Sequence, residues 1–146
     1  LKALNIEPIL QISNINIPNL VASELNIDVD LFKNGEIASL FKLNCEWLNR
    51  LIKVKNIASL EEVINIVPKT IKIELEKLLK KANEVEYSNI IIAPLYYGSL
   101  RYYDGIYYRV INDNLTLCKG GMYSSEGMSS LGFALYTDNL LKILED

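Results

Sequence analysis

The chain contains no histidine. That absence removes the usual general base, the Ser-His-Asp and Cys-His nucleophile systems, and most zinc sites. Cysteine is scarce: Cys45 and Cys118 stand far apart and form neither a CxxC pair nor a metal cluster. Free cysteine packs as a small hydrophobe, and two reduced buried thiols fit a cytoplasmic protein. Positive charge is also short. Fifteen Lys and Arg face 18 Asp and Glu, a net charge of −3, which argues against a counter-ion-releasing nucleic-acid binder. No apolar run approaches the ~18–20 residues needed to span a bilayer. The start, Leu1-Lys2-Ala3-Leu4, lacks a signal-peptide profile. The chain does not begin with Met, and Leu1 enters as if mid-element, so an N-terminal part is expected to lie outside these residues.

What is present is ordinary in amount. The 146 residues allow one domain or a piece of one, with half of them hydrophobic and 23% charged. Ile, Asn, Lys and Tyr are abundant, as in an A+T-rich genome. After a short helical end at Leu1–Leu4, Pro8–Ser13 alternates as a strand, and Asn14–Asn16 turns the chain. Pro18 then suits a helix first turn, with Leu20, Val21 and Leu25 on one face. Asn26–Asp30 breaks the pattern before a short helix at Val29–Lys33, and Asn34-Gly35 stops it again. Apolar spacing predicts one helix over Glu36–Lys53. Ser59-Leu60-Glu61-Glu62 reads as a capping box for a helix running to Ile66. Pro68 opens another, striped by Ile71, Leu75, Leu78, Leu79 and Ala82 and supported by a Glu76–Lys80 pair.

From Asn89 the period changes. Asn89–Pro94 reads as a buried strand. Gly105–Ile111, Leu115–Lys119 and Leu131–Tyr136 read as further strands, with a hairpin turn at Asn112-Asp113-Asn114. Thr137 or Asp138 caps a last helix carrying Leu140, Leu141 and Leu144. Helices in the middle and antiparallel strands in the last third make an α+β domain.

Two clusters carry candidate chemistry. Six of the nine tyrosines fall between positions 96 and 108, around Tyr96-Tyr97-Gly98-Ser99-Leu100-Arg101-Tyr102-Tyr103-Asp104-Gly105. Lys119-Gly120-Gly121-Met122-Tyr123-Ser124-Ser125 is the second. Tyrosine offers a flat apolar body with one polar tip, which suits a pocket for a small planar ligand, and paired glycines let backbone approach that ligand. The same residues serve equally as strand formers and a bulge. Gly120-Gly121 lacks a following Lys-Ser/Thr and is not a P-loop.

These motifs, in this order, resemble histidyl-tRNA synthetases. That family carries Arg-Gly-Leu-Asp-Tyr-Tyr-Thr-Gly, then Gly-Gly-Arg-Tyr-Asp, then a Gly-Phe-Ala strand entering an acidic-Arg-Leu helix. Here stand Leu100-Arg101-Tyr102-Tyr103-Asp104-Gly105-Ile106, Gly120-Gly121-Met122-Tyr123, and Leu131-Gly132-Phe133-Ala134-Leu135 followed by Asp138-Asn139-Leu140. The resemblance is strongest over 89–146 and extends more weakly to Leu1–Leu25. Gly98, Met122 and Asn139 occupy places where the synthetases keep arginines, and Arg101 replaces an acidic residue. Adenylation must neutralise a carboxylate and a triphosphate, which Arg forks do best. Keeping the Tyr-Tyr and Gly-Gly elements without those arginines resembles the regulatory subunit family of ATP phosphoribosyltransferase.

That resemblance implies an antiparallel sheet of class II aminoacyl-tRNA synthetase type with a helical insert over about 28–86 and a motif-bearing, β-rich part over 89–146. It implies a non-catalytic cytoplasmic protein with no cofactor or metal, acting in histidine biosynthesis with a separate short-form catalytic subunit, itself a glycosyltransferase. Histidine is the implied ligand, contacted by Tyr102, Tyr103, Gly105, Gly120, Gly121 and Tyr123, with Arg101 available for its carboxylate or for a surface ion pair. The full-length form is implied to be a homo-oligomer, without membrane or nucleic-acid partners. The alternatives are a degenerate synthetase paralogue with an amino-acid- or RNA-related role, and a structural remnant without a ligand.

Overall fold

Leu10, Ile12 and Asn14 alternate with Gln11 and Ser13, so the first strand presents an apolar side and a polar side. The computed structural model describes residues 5–97, 105–125 and 127–145; the expected helical end at Leu1–Leu4 lies outside them. Strand β1 spans Ile9–Asn14 and pairs in parallel with β2 (Ile90–Ile92) and antiparallel with β3 (Ile106–Asn112). Two hairpins add β4 (Leu115–Ser125) and β5 (Met128–Leu135), giving the order β2-β1-β3-β4-β5. Asp113 at φ 52° and Gly127 at φ 79° make the left-handed turns. The fold is α+β, and the sheet is antiparallel except for the β1–β2 pair. A parallel pair needs a crossover, and the intervening helices supply it.

Those helices are α1 (Asn16–Leu25), α2 (Asp30–Lys33), α3 (Ile37–Phe41), α4 (Glu46–Ile52), α5 (Ile57–Ile64) and α6 (Lys69–Glu84); α7 (Thr137–Glu145) follows β5. The single helix expected over Glu36–Lys53 is two, α3 and α4. Asn44 turns the backbone to φ 51° between them. The apolar stripe runs on across the break because Leu40, Leu48 and Leu51 all bury into the same core. The capping box also differs from the reading. Asn56, not Ser59, caps α5: Asn56 Oδ1 accepts from the Ser59 amide at 2.8 Å, and Ser59 Oγ accepts from the Asn56 amide at 3.1 Å. Asparagine caps as well as serine does, so the box sits one turn earlier than expected. The ion pairs on α6 are Lys77–Glu74 and Lys81–Glu84, rather than Glu76–Lys80. Strands β4 and β5 are longer than expected, because Gly120-Gly121 continues the ladder instead of ending it.

The core lies on one side of the sheet. Ile12, Ile17, Val21, Ile71, Leu75 and Leu78 are buried between β1, α1 and α6. Beside them Asn14 Nδ2 donates to Glu74 Oε2 at 2.9 Å, and Asn16 Nδ2 approaches the same oxygen at 3.4 Å. The helices cover β1 but leave the same side of β5 open. There Leu131, Phe133 and Leu135 are 79%, 68% and 58% exposed. A contiguous apolar strip of this kind is the mark of an interaction surface.

Burial alone would raise the Glu74 carboxyl, but the hydrogen bonds from Lys77, Asn14 and Asn16 and the Lys77 charge hold it below its usual value. A depressed carboxylate stabilises the fold above its unfolded pKa and loses that effect as pH falls through the folded one. Glu74→Ala is therefore expected to cost about 1–3 kcal/mol at neutral pH, since the buried Asn14 amide loses its 2.9 Å carboxylate acceptor and keeps only the longer contact to the residue-74 carbonyl. Urea melts should show the gap between variant and parent narrowing as pH drops below about 4.

Candidate functional site

The side of the sheet opposite the helices is built in rows. Gln11, Arg109, Lys119 and Ala134 are register partners across β1, β3, β4 and β5. Ser13, Tyr107, Gly121 and Gly132 form the next row, and Tyr123 pairs with Ser130 beyond it. The loop after β2 folds over this face. The Tyr107 hydroxyl donates to the Tyr96 carbonyl, and the two rings lie 5.9 Å apart, centre to centre. The Tyr96 ring also lies 4.1 Å beneath the Arg109 guanidinium. Arg109 Nε and Nη2 both donate to Gln11 Oε1, at 2.9 and 2.7 Å. Burial, then the neighbouring Arg109 charge, pushes the Lys119 ammonium below its ordinary pKa. Ser13 Oγ is buried and has no hydrogen-bond partner among the described residues.

Aromatic rings, a guanidinium held by Gln11 beside a lysine, and small residues on one open face suit recognition of a small polar ligand. The Cys118 thiol is on the opposite side, and burial pushes its pKa up, so it stays a neutral packing group at physiological pH. Two hollows lie off this face. One, about 410 Å³, is bounded by α2, α3 and the loop carrying Tyr96 and Tyr97. The other, about 320 Å³, opens on the helix side between Ile12, Val85, Tyr108 and Leu131. Their mainly apolar linings suit packing more than binding of a charged amino acid.

No protein-family model matches the chain. The ATP phosphoribosyltransferase regulatory subunit of Wolinella succinogenes is 39% identical over 141 residues, covering 97% of this chain and 49% of the relative. The regulatory subunit of Helicobacter hepaticus is 36% identical over 144 residues, covering 99% of this chain and 51% of that protein. The chain is a relative of the ATP phosphoribosyltransferase regulatory subunits. It spans about half the length of these curated relatives. Among solved structures, a regulatory subunit/histidyl-tRNA synthetase from Bacillus halodurans matches with a TM-score of 0.71 at 18% identity, over 99% of this chain and 47% of that one. Histidyl-tRNA synthetase from Nostoc matches with a TM-score of 0.69 at 16% identity, over 99% and 43%. The fold is thus of the class II histidyl-tRNA synthetase type.

The residues singled out from sequence divide into four groups. Gly121 and Tyr123 lie on the open face. Gly105 sits at the start of β3, its carbonyl accepting from the Ile15 amide at 3.0 Å. Gly120 points to the helix side, where a Cβ would come within 2.5 Å of the Tyr108 ring. Arg101, Tyr102 and Tyr103 lie outside the described residues. Sequence reading missed Arg109, Gln11 and Ser13. The signal for them was present: polar residues alternating with apolar ones along two strands. Lys119 was noticed only as a neighbour of the glycines.

Gly120 is glycine because Tyr108 occupies the space of its side chain. Gly120→Ala is expected to destabilise by about 1–3 kcal/mol through overpacking. In a Tyr108→Ala background the same change should cost much less, and a double-mutant cycle by chemical denaturation measures that coupling.

Proposed function

We propose that this chain is half of a non-catalytic regulatory subunit that senses histidine and regulates a separate short-form ATP phosphoribosyltransferase catalytic subunit in the cytoplasm. The observation that carries the reading is the 39% identity to a curated regulatory subunit over 97% of the chain. Residues 28–86 act as the helical insert and 89–146 as the motif-bearing part of a class II synthetase-like domain. Histidine lies against the open face, with Gly121 and Tyr123 in its wall and Tyr102 and Tyr103 as further contacts. The full-length protein works as a homo-oligomer, and the exposed Leu131, Phe133 and Leu135 strip is available for contact.

The positions that replace synthetase arginines support the absence of aminoacylation. Asn139 spends its side chain holding the sheet end, its Nδ2 donating to the Thr116 carbonyl at 2.7 Å. Met122 alternates to the helix side of β4, away from the open face. Reporting a ligand needs two states of different affinity and a partner that feels the difference, not a charge-stabilising site.

Purified full-length protein is expected to show no histidine-dependent ATP–pyrophosphate exchange, and robust exchange would return the reading to a synthetase paralogue. Tyr103→Ala should weaken histidine binding by about 1–3 kcal/mol in calorimetry, the cost of an unpaired buried polar contact. The decisive experiment is co-purification with the organism's short catalytic subunit, followed by rate measurements with and without histidine. A complex whose rate and histidine inhibition depend on this protein supports regulation; no complex and no effect rejects it.

A further inference from the structure

Five strands make the sheet, and within them stand two charged residues, Arg109 and Lys119, with no acidic residue at all. The chain as a whole is net negative, so this is not a composition effect. The two cations are direct register partners on neighbouring antiparallel strands and share the open face. Like charges placed opposite one another destabilise a sheet. Among the described residues neither forms an ion pair; the four that form are Lys33–Asp30, Arg50–Glu46, Lys77–Glu74 and Lys81–Glu84.

The group that does hold Arg109 is informative. Gln11, itself 7% exposed, takes two guanidinium N–H groups on one amide oxygen. A neutral amide fixes the guanidinium without neutralising it, and leaves its other donors for another acceptor. The Tyr96 ring supports the guanidinium from below at 4.1 Å. Across from Lys119 on β5 stands only the small Ala134, and in the next row the Tyr123 ring lies over Gly132. One row away, Ser13 is 1% exposed and its Oγ has no partner among the described residues.

We propose that Arg109 and Lys119 form an anion subsite on the open face, which takes a carboxylate or phosphate group of a small ligand, with Gln11 and Tyr96 as positioning residues. A bound anion bridges the two cations and removes the repulsion that the unliganded sheet carries. The subsite rests on the charge pattern of the sheet. Assigning its anion as the α-carboxylate of histidine rests additionally on the function proposed above.

Calorimetry and thermal melts of the protein with histidine, histidinol and inorganic pyrophosphate test both layers. Lys119→Met should melt higher than the parent without ligand, because the like-charge contact is gone, and should bind the preferred anion at least tenfold more weakly. If histidine binds at least tenfold better than histidinol and Lys119→Met erases that preference, the anion is the amino-acid carboxylate. If pyrophosphate binds and depends on Lys119 while histidine and histidinol do not differ, the subsite stands as a phosphate site and the histidine assignment falls. Arg109→Gln checks the second cation in the same assays. The proposal is overturned if the parent binds none of these anions, or if folded Lys119→Met and Arg109→Gln leave every affinity unchanged.

Discussion

The alternation along β1 is the constraint from which the rest of the molecule follows. Ile12 must enter the core, so its neighbours Gln11 and Ser13 must face the other way. Pairing then propagates that choice: the register places Tyr107 and Arg109 with Gln11 and Ser13, and Lys119 and Gly121 with them in turn. A slip of one residue would send Arg109 into the helices and Val110 into solvent. The same alternation therefore secures the core and assembles the open face.

The helix side is held by apolar burial and one polar latch. Residues along α6 at helical spacing pack on β1 and α1, while Glu74 from the same helix gathers Asn14 and Asn16 where the strand turns into α1. The latch ties the end of β1 near the point where the Gly105 carbonyl meets the Ile15 amide. Packing on one side of the sheet thus fixes the backbone from which Tyr107 and Arg109 project on the other.

Relatives and geometry bear on different parts of the functional reading. Identity to regulatory subunits addresses what kind of protein this is, over half of their length. Fold likeness to synthetase-type structures at 16–18% identity speaks for architecture alone. The chemistry of the open face comes from neither. Arg109 held by a neutral glutamine, opposite a lysine whose charge burial disfavours, is a property of this chain's own register.

Much of the fold was legible in the residues. The α6 stripe, the turn at Asp113, the short helix before Asn34 and the change from helical to strand period at Asn89 are local patterns, and local patterns survive folding. The break at Asn44 was hidden because helices on both sides of it bury the same layer. The capping box was displaced because Asn56 and Ser59 can both cap. Sequence motifs gathered Tyr96, Gly121 and Tyr123 near a site, since tyrosines and glycines cluster along the chain. They could not separate Gly120 from Gly121, which face opposite sides of one strand, nor find the Gln11–Arg109–Lys119 row. Those residues are far apart in the chain, and only strand pairing brings them into line.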